Sequence, residues 1–301
     1  MRIPLKFGLF LLALCCSSCC KPASTPVLDY SAFHAERFKT LTDPHGYLST
    51  VASESLPDNA DTSLGTASDS SIVLPDGPAR LLTVHRAGNV LTVFKAAPEV
   101  IFMGKPIPEG GVIIKDWQKW QTLAAGSLRI QVYSRADSYD QPRIRILDPQ
   151  SPQLKSFKGS QWYAPAAQWR IEAKWVPLPK GQKYTETTSL GGTFSRDKPG
   201  YAEFSAGGKS FRLTPIGIEE GKLFFIFLDE TRKVDTDRGG RFLLAPLPSN
   251  GAEKPGTVVL DFNEATNPFC EYSPFTDCPR AMAENILPFA IQAGEKRYED
   301  Q

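Results

Sequence analysis

Residues 127–133, Ser127-Leu-Arg-Ile-Gln-Val-Tyr133, show the pattern on which the fold prediction rests. From Leu128 onward, apolar and polar residues alternate one for one. Successive side chains of a β-strand point to opposite faces, so this pattern predicts a strand with one face in a core and one face outside it.

Segments of the same kind lie on both sides of this stretch, separated by turns rich in Gly and Pro. The turn Ala87-Gly88-Asn89 joins residues 81–86 to 90–94 and predicts a hairpin. Short strands at regular spacing are typical of a β-sandwich, which we expect over residues 64–150. The other strands predicted here are 71–74, 100–103, 112–114 and 143–147.

The second half of the chain, residues 151–301, is expected to form a second antiparallel β lobe. Residues 169–175 alternate like a half-buried strand, whereas 223–228 are apolar throughout, which indicates a strand buried on both faces. The five Trp and many Phe are expected in the cores rather than in a ligand site. Further strands are predicted at 201–204, 210–213, 241–244 and 257–260.

A short helix and a loop are predicted ahead of the sandwich, over residues 29–63. Asp29 can cap a helix whose apolar stripe includes Phe33, Phe38 and Leu41. The polar stretch 49–64, with Pro57 and two Asp, is expected to be a loop. The predicted fold is therefore mostly β, with a short N-terminal helix.

The first 18 residues have the features of a signal peptide. Arg2 and Lys6 precede an apolar run at 7–14 that is too short to span a bilayer. Small residues precede Cys19, as in a bacterial lipoprotein signal, so we expect Cys19 to be lipidated and 19–28 to be a tether. Lipidation at Cys15, or a plain secretory signal, are the alternatives. The expected location is the cell envelope, with the membrane as partner through the lipid.

Composition and motifs exclude several classes of function. The net charge of +1 gives no basic field to hold nucleic acid. The chain has no Gly-rich phosphate loop, no Gly-x-Ser-x-Gly elbow and no His-Glu-x-x-His pair. No cofactor is predicted.

The two cysteines outside the leader, Cys270 and Cys278, lie close together in a polar, Pro-rich segment at 261–288. Export to an oxidising compartment favours a local disulfide between them. A metal site is disfavoured, since no His lies nearby and two thiolates alone make a poor zinc site.

Polar residues around the same segment are the candidate ligand-binding residues. Read functionally, they suit a hard cation or a small polar ligand held by an arginine. Read structurally, they cap turns and satisfy backbone groups, which is the favoured interpretation for an irregular loop. The candidates are Asp229, Arg241, Asp261, Asn263, Asn267 and Asn285.

In the N-terminal half, short strand and turn patterns follow one another at 64–67, 71–76, 82–89 and 103–107. The order and spacing of these segments resemble those of a forkhead-associated-type sandwich. Thr66 stands where that family has its phosphate-reading Arg, and no matching Ser precedes His85. The resemblance therefore implies the shape of the domain and not phosphothreonine binding.

A longer ordered set of residues includes Gly46, Tyr47, Leu48, Arg135, Arg145, Asp148, Phe157, Gly159, 223–231, Thr236, 240–243, 261–263, Asn267, Pro268, Cys270, Cys278, Pro279, Glu284, Asn285, Leu287 and 293–296. In these residues the chain resembles the bacterial family catalogued as domain of unknown function 1684, which has no assigned activity. The chain departs from the family's usual residues at Asp237, Thr266, Phe269 and Ile286, which implies a diverged site.

Two hypotheses about function follow. The first is an exported lipoprotein that acts as a non-catalytic binding or scaffold module, with a small polar ligand or an envelope protein as partner. The alternative is a hydrolase-type enzyme, or a protein that binds a polar ligand or cation, using the region from Asp261 to Asn285.

Overall fold

The computed structural model describes residues 28–298 except 116, 118, 136, 137 and 189–192. The expected signal peptide, the tether up to residue 27 and Cys19 lie outside the described residues. In the described part of the chain, no helix has both the length and the apolar character needed to cross a membrane.

The first unit is a sandwich of two antiparallel-rich sheets. The strands are β1 (Thr50–Ser55), β2 (Ala60–Gly65), β3 (Ile72–Val73), β4 (Leu82–Ala87), β5 (Val90–Ala96), β6 (Val100–Phe102), β7 (Lys105–Pro106), β8 (Val112–Ile114), β9 (Gln121–Ala125), β10 (Leu128–Arg135) and β11 (Ser138–Leu147). One sheet has the order β1-β11-β10-β9-β6-β7 and the other β3-β2-β4-β5-β8.

The core of the sandwich lies between these two sheets and confirms the alternation that predicted β10. Ile130 and Val132 are fully buried there, as are Ile144 and Ile146 of the neighbouring strand β11. The other face of β10 and β11 points away from this core. That outer face is the part of the sandwich that matters for the site.

The sandwich begins at Thr50, so the loop predicted over residues 49–64 is wrong. Strand β1 pairs antiparallel with β11, and β2 pairs antiparallel with β4. In β2 the buried positions are Thr62 and Leu64, which are 3% and 0% exposed. A threonine in the inward register left too weak an apolar pattern to reveal this strand.

The C-terminal lobe contains the remaining strands and a short helix, α2 (Pro152–Ser156). The strands are β12 (Arg170–Pro177), β13 (Lys183–Thr187), β14 (Thr193–Asp197), β15 (Gly200–Ala206), β16 (Lys209–Leu213), β17 (Gly217–Glu219), β18 (Lys222–Phe227), β19 (Arg241–Pro246) and β20 (Gly256–Asp261).

Two sheets enclose the second core, in the orders β16-β15-β12-β20 and β17-β18-β19. Phe225 and Phe227 of β18 are fully buried in it, together with Trp175 and Leu260. Because strand residues alternate, Phe224 and Ile226 lie on the other face of the sheet, where they are also buried. The prediction that residues 223–228 are buried on both faces is confirmed.

The N-terminal helix, α1 (Ser31–Leu41), packs against the C-terminal lobe although the sandwich follows it in sequence. His34 stacks on Trp162 with ring centroids 4.0 Å apart. Leu41 is buried in a cluster that includes Phe157 of the C-terminal lobe. The N-cap residue of α1 is Tyr30 and not the predicted Asp29, whose carboxylate accepts a hydrogen bond from the backbone N–H of Ser31 at 2.9 Å.

Candidate functional site

The six residues proposed from the sequence lie in separate hydrogen-bond networks. Arg241 and Asp229 form a buried ion pair at 3.0 Å, with side chains only 1% and 2% exposed. Arg241 also donates to the carbonyls of Ile291 and Ala293, and Asp229 accepts from the N–H of Ile291 at 2.6 Å. This pair therefore fastens the chain near its C-terminus to β19.

Asp261 and Asn263 form a second network at the end of β20. The hydroxyl of Tyr30 donates to Asp261 at 2.8 Å, and burial together with this contact raises the pKa of Tyr30 to about 12. The Asn263 side chain accepts from the N–H of Ala166 at 2.9 Å and donates to its carbonyl at 3.1 Å. Both residues join segments that are distant in sequence.

Asn267 and Asn285 form hydrogen bonds with backbone groups at two further positions in the C-terminal lobe. The Asn267 amide donates to the carbonyl of Lys296 at 2.6 Å. The Asn285 side chain exchanges two hydrogen bonds of 2.8 Å with the backbone of Thr214 and donates to Ile226 O at 2.8 Å. These are the contacts of the structural interpretation, in which buried amides satisfy backbone groups of an irregular segment.

The disulfide predicted between Cys270 and Cys278 is absent, and this prediction is corrected. Both cysteines are free thiols in the structure. The Cys278 sulfur instead accepts a hydrogen bond from the backbone N–H of Cys270 at 3.3 Å. Contacts such as Thr276 Oγ1 to the Ser273 carbonyl, at 2.9 Å, hold the loop without a covalent closure.

A different site emerges at the junction of the sandwich and the C-terminal lobe. Here the two units enclose a cleft of about 500 Å³, within the size range of small-molecule sites. The sandwich contributes the outer face of β10 and β11, with Arg143 and Arg145. The lobe contributes the outer face of β18 and β19, with Phe224, Phe242 and Leu244.

Arg145 is the main cation of this cleft. Ile144 and Ile146 fill the core, so the register of β11 places Arg145 on the outer face, opposite Gln131 of β10. The guanidinium donates through Nε and Nη2 to Gln131 Oε1, at 3.1 and 2.5 Å. Although Arg145 is only 8% exposed, no carboxylate of the described residues pairs with it.

Three aromatic rings surround the Arg145 guanidinium. The ring centroids of Tyr47, Trp120 and Tyr133 lie 5.6, 5.4 and 5.3 Å from its central carbon. Burial raises the pKa of Tyr47, and the positive charge of Arg145 opposes that rise, so Tyr47 stays neutral. Ring faces attract a cation but do not neutralise it, so the charge of Arg145 remains available to an anion.

Arg143 adds a second cation on the same face of β11. Its guanidinium donates to the Ser53 carbonyl at 2.8 Å and to the hydroxyls of Ser53 and Ser55 at 3.3 and 3.1 Å. These acceptors are neutral. Two residues of a strand separate the Arg143 and Arg145 backbones by roughly 6.6 Å, close enough for one ligand to contact both.

The other two arginines of the cleft are paired. Arg37 lies 3.1 Å from the buried Glu295, and Arg196 lies 2.5 Å from Glu219. The described lining of the cleft contains two carboxylates, Glu219 and Asp277. The excess positive charge is therefore concentrated on the sandwich wall, at Arg143 and Arg145.

Sequence reasoning did not select these cleft residues as a site. The available signal was the alternation Arg143-Ile-Arg-Ile146, which places two cations together on the outer face of a half-buried strand. Trp120 was expected in a core, but it is 52% exposed and lines the cleft. The cleft is created by the contact between the sandwich and the C-terminal lobe, and local sequence patterns do not predict that contact.

No metal centre is formed by the residues that the structure describes, since no three His, Cys, Asp or Glu side chains among them are grouped to hold an ion.

Residues 155–296 match the family described as "Protein of unknown function (DUF1684)", in agreement with the resemblance found in the sequence. The matched range contains the C-terminal wall of the cleft, and Arg143 and Arg145 precede it. The forkhead-associated likeness is not confirmed.

One solved structure similar to this chain is the solution NMR structure of an uncharacterized protein of Haloarcula marismortui. It is 27% identical, with a TM-score of 0.41, and the match covers 49% of this chain and 83% of that one. No curated protein matches the chain.

Proposed function

We propose that this protein is a non-catalytic binding module that takes a small organic anion in the cleft between its two lobes. The observation that carries the proposal is Arg145, a nearly buried guanidinium with no carboxylate partner among the described residues. Burying a charge without a counter-ion destabilises a fold, so such a residue is retained where a ligand supplies the opposite charge.

Arg241 provides the contrast within the same chain. It is 1% exposed, against 8% for Arg145, and it has Asp229 and two carbonyl acceptors. The structural Arg241 thus has a carboxylate partner, although its buried Nε donates no hydrogen bond to the described residues. Arg145 donates only to one neutral amide oxygen and contacts three aromatic rings, which leaves N–H donors available to a ligand in the cleft.

The hydrolase alternative would use the region from Asp261 to Asn285. There the side chains of Asp261, Asn263, Asn267 and Asn285 are engaged with backbone groups, with tyrosine hydroxyls and, for Asp261, with Arg170 at 3.4 Å. Among the described residues, no hydrogen bond joins the Asp261 network to the Arg241 network. The cleft offers an arginine pair that suits binding of a carboxylate or phosphate group better than it suits general acid–base chemistry. Binding is therefore the function we favour.

Export and anchoring complete the proposal. The apolar run at 7–14 and the small residues before Cys19 support secretion, lipidation at Cys19 and attachment to a membrane of the cell envelope. Mass spectrometry of the mature N-terminus from a membrane fraction tests this part. An unmodified N-terminus other than Cys19 would contradict it.

Ligand binding is tested by thermal unfolding of the mature protein with inorganic phosphate or acetate, against sodium chloride at equal ionic strength. We expect both anions to raise the midpoint of unfolding, because a ligand that binds the folded state stabilises it. Arg145→Gln should abolish the rise. Arg212→Gln is the matched control, since Arg212 is exposed and lies outside the cleft lining. An equal rise in Arg145→Gln, or none in the wild type, would refute the proposal.

A further inference from the structure

We infer that the ligand of the cleft is an aromatic acid, a planar ring system that carries a carboxylate. This inference rests on the proposed anion-binding function and adds the chemistry of the rest of the ligand. Its basis is the opposite wall of the cleft, which is aromatic where the sandwich wall is cationic.

The lining itself selects for rings. Of the eighteen described residues that line the cleft, seven are aromatic, and Leu244 is the one branched aliphatic residue among them. Aromatic pairs gain energy beyond the burial of their area, through edge-to-face and offset-stacked contacts. A cleft lining of this composition therefore favours a planar aromatic ligand over a flexible acyl chain.

Several of these rings are already fixed by neighbours, which leaves a defined place for the ligand. Tyr47 is stacked on Phe269 with centroids 3.6 Å apart. Phe242 packs edge-to-face with Phe224 at 4.9 Å and 89°. Phe242 is only partly buried, and it lies beside the 40% exposed Leu244 on the cleft face of β19. These two residues are the surface on which a ligand ring would lie.

The orientation of the ligand follows from the two walls. Its carboxylate faces the guanidinium of Arg145, which has donors left beyond those given to Gln131, with Arg143 one pleat away on the same strand. Its ring extends towards Phe242 and Leu244. Trp120, 52% exposed, stands on the sandwich side next to Tyr133, with centroids 4.6 Å apart, and is placed to cover the ligand.

The experiment compares three probes in calorimetric titrations of the mature protein: 2-naphthoate, decanoate and the neutral 2-naphthamide. We expect 2-naphthoate to bind about tenfold more tightly than decanoate, and 2-naphthamide to bind about tenfold more weakly than the acid. Phe242→Leu should lower the affinity for 2-naphthoate about fivefold and leave that for acetate unchanged. Phe94→Leu, at an exposed ring outside the cleft lining, is the matched control.

The outcomes separate this inference from the proposed function. Acetate and phosphate binding that depends on Arg145, with decanoate equal to 2-naphthoate, would overturn the aromatic ligand and keep the anion site. Binding of 2-naphthamide as tight as that of the acid would also overturn it. Should no anion bind, both proposals fail. Circular dichroism of Phe242→Leu shows whether a loss of affinity reflects the site or the fold.

Discussion

Tyr47, which precedes the sandwich, stacks on Phe269 of the C-terminal lobe, with ring centroids 3.6 Å apart and planes 14° from parallel. The guanidinium carbon of Arg145 lies 5.6 Å from the ring centroid of Tyr47, and that of Arg37 lies 5.0 Å from the ring centroid of Phe269. One stack thus joins the two walls of the cleft and contacts a cation on each side. The shape of the cleft depends on it.

The first prediction concerns this stack. Tyr47→Leu and Phe269→Leu should each destabilise the protein, and a double-mutant cycle should give a coupling free energy of about 1 kcal/mol. Urea denaturation of the four proteins measures it. The pair Phe204 and Phe211, within one sheet and 6.1 Å apart, serves as a comparison whose coupling does not alter ligand binding. A coupling near zero for Tyr47 and Phe269 would show that the stack does not hold the lobes together.

The second prediction separates the functional arginine from the structural one. Arg241→Gln leaves Asp229 buried and unpaired, so it should cost about 3–5 kcal/mol of unfolding free energy. Arg145→Gln removes a charge that has no carboxylate partner among the described residues, and the relief of its burial offsets the lost ring contacts. We expect a change within about 1 kcal/mol in the absence of ligand. Equal losses in the two variants, measured by urea denaturation, would make Arg145 a structural residue.

The third prediction is a pH dependence set by Glu271. Burial raises its pKa to about 8, aided by a hydrogen bond with Asp237 and by the negative charge of that residue. The folded state therefore holds this proton more tightly than the unfolded state, whose Glu pKa is about 4.3. Between those two values the folded protein binds more protons, so stability is full below about pH 4.3 and falls as the pH rises towards 8.

Glu271→Gln stays neutral and removes this contribution. The unfolding free energy of the variant should change less between pH 5 and pH 8 than that of the wild type. Urea denaturation at three pH values measures the difference. Glu253→Gln is the control, because Glu253 is an exposed partner of Lys180 and should leave the wild-type slope intact. An unchanged slope in Glu271→Gln would mean that Glu271 is ionised in the fold.

Strands with at least one apolar face could be predicted from the sequence, whereas the cleft between the two lobes could not. The alternation at 127–133 and the unbroken apolar run at 223–228 each indicate how the strand is buried, so both were identified from sequence. Strand β2 was missed because Thr62 occupies an inward position. The polar residues near Asp261 attracted attention because irregular backbone needs many polar partners, which is a structural requirement.

The cleft depends on contacts between segments far apart in sequence. Arg145 meets Tyr47 and Trp120 only because β11, the turn before β1 and the segment before β9 converge on one face. Helix α1 makes a similar long-range contact, since its Arg37 forms an ion pair with Glu295 near the C-terminus. Local patterns state which face of a strand is outside a core. They do not state what that face will meet.

The fourth prediction concerns Gly294, which shows how the segment after β20 is fixed. Its φ of +78° is in the left-handed region, and a Cβ there would lie 2.5 Å from the carbonyl oxygen of Ala265 and 2.8 Å from that of Phe262. Gly294→Ala therefore adds a backbone clash to the conformational strain. We expect a loss above about 3 kcal/mol, because strain alone costs about 1–3 kcal/mol.

Gly207→Ala isolates the strain. Gly207 has a φ of +56°, but a Cβ at this position meets nothing within 4 Å. This variant should lose only about 1–2 kcal/mol, the usual cost of the left-handed conformation for a residue with a Cβ. Urea denaturation of both variants gives the comparison. The carbonyl of Gly294 also accepts a hydrogen bond from the N–H of Tyr163 at 3.0 Å. Trp162, the residue before Tyr163, stacks on His34 of α1, so movement of Gly294 would disturb the packing of α1. Equal losses for the two variants would show that the segment shifts to admit the methyl group.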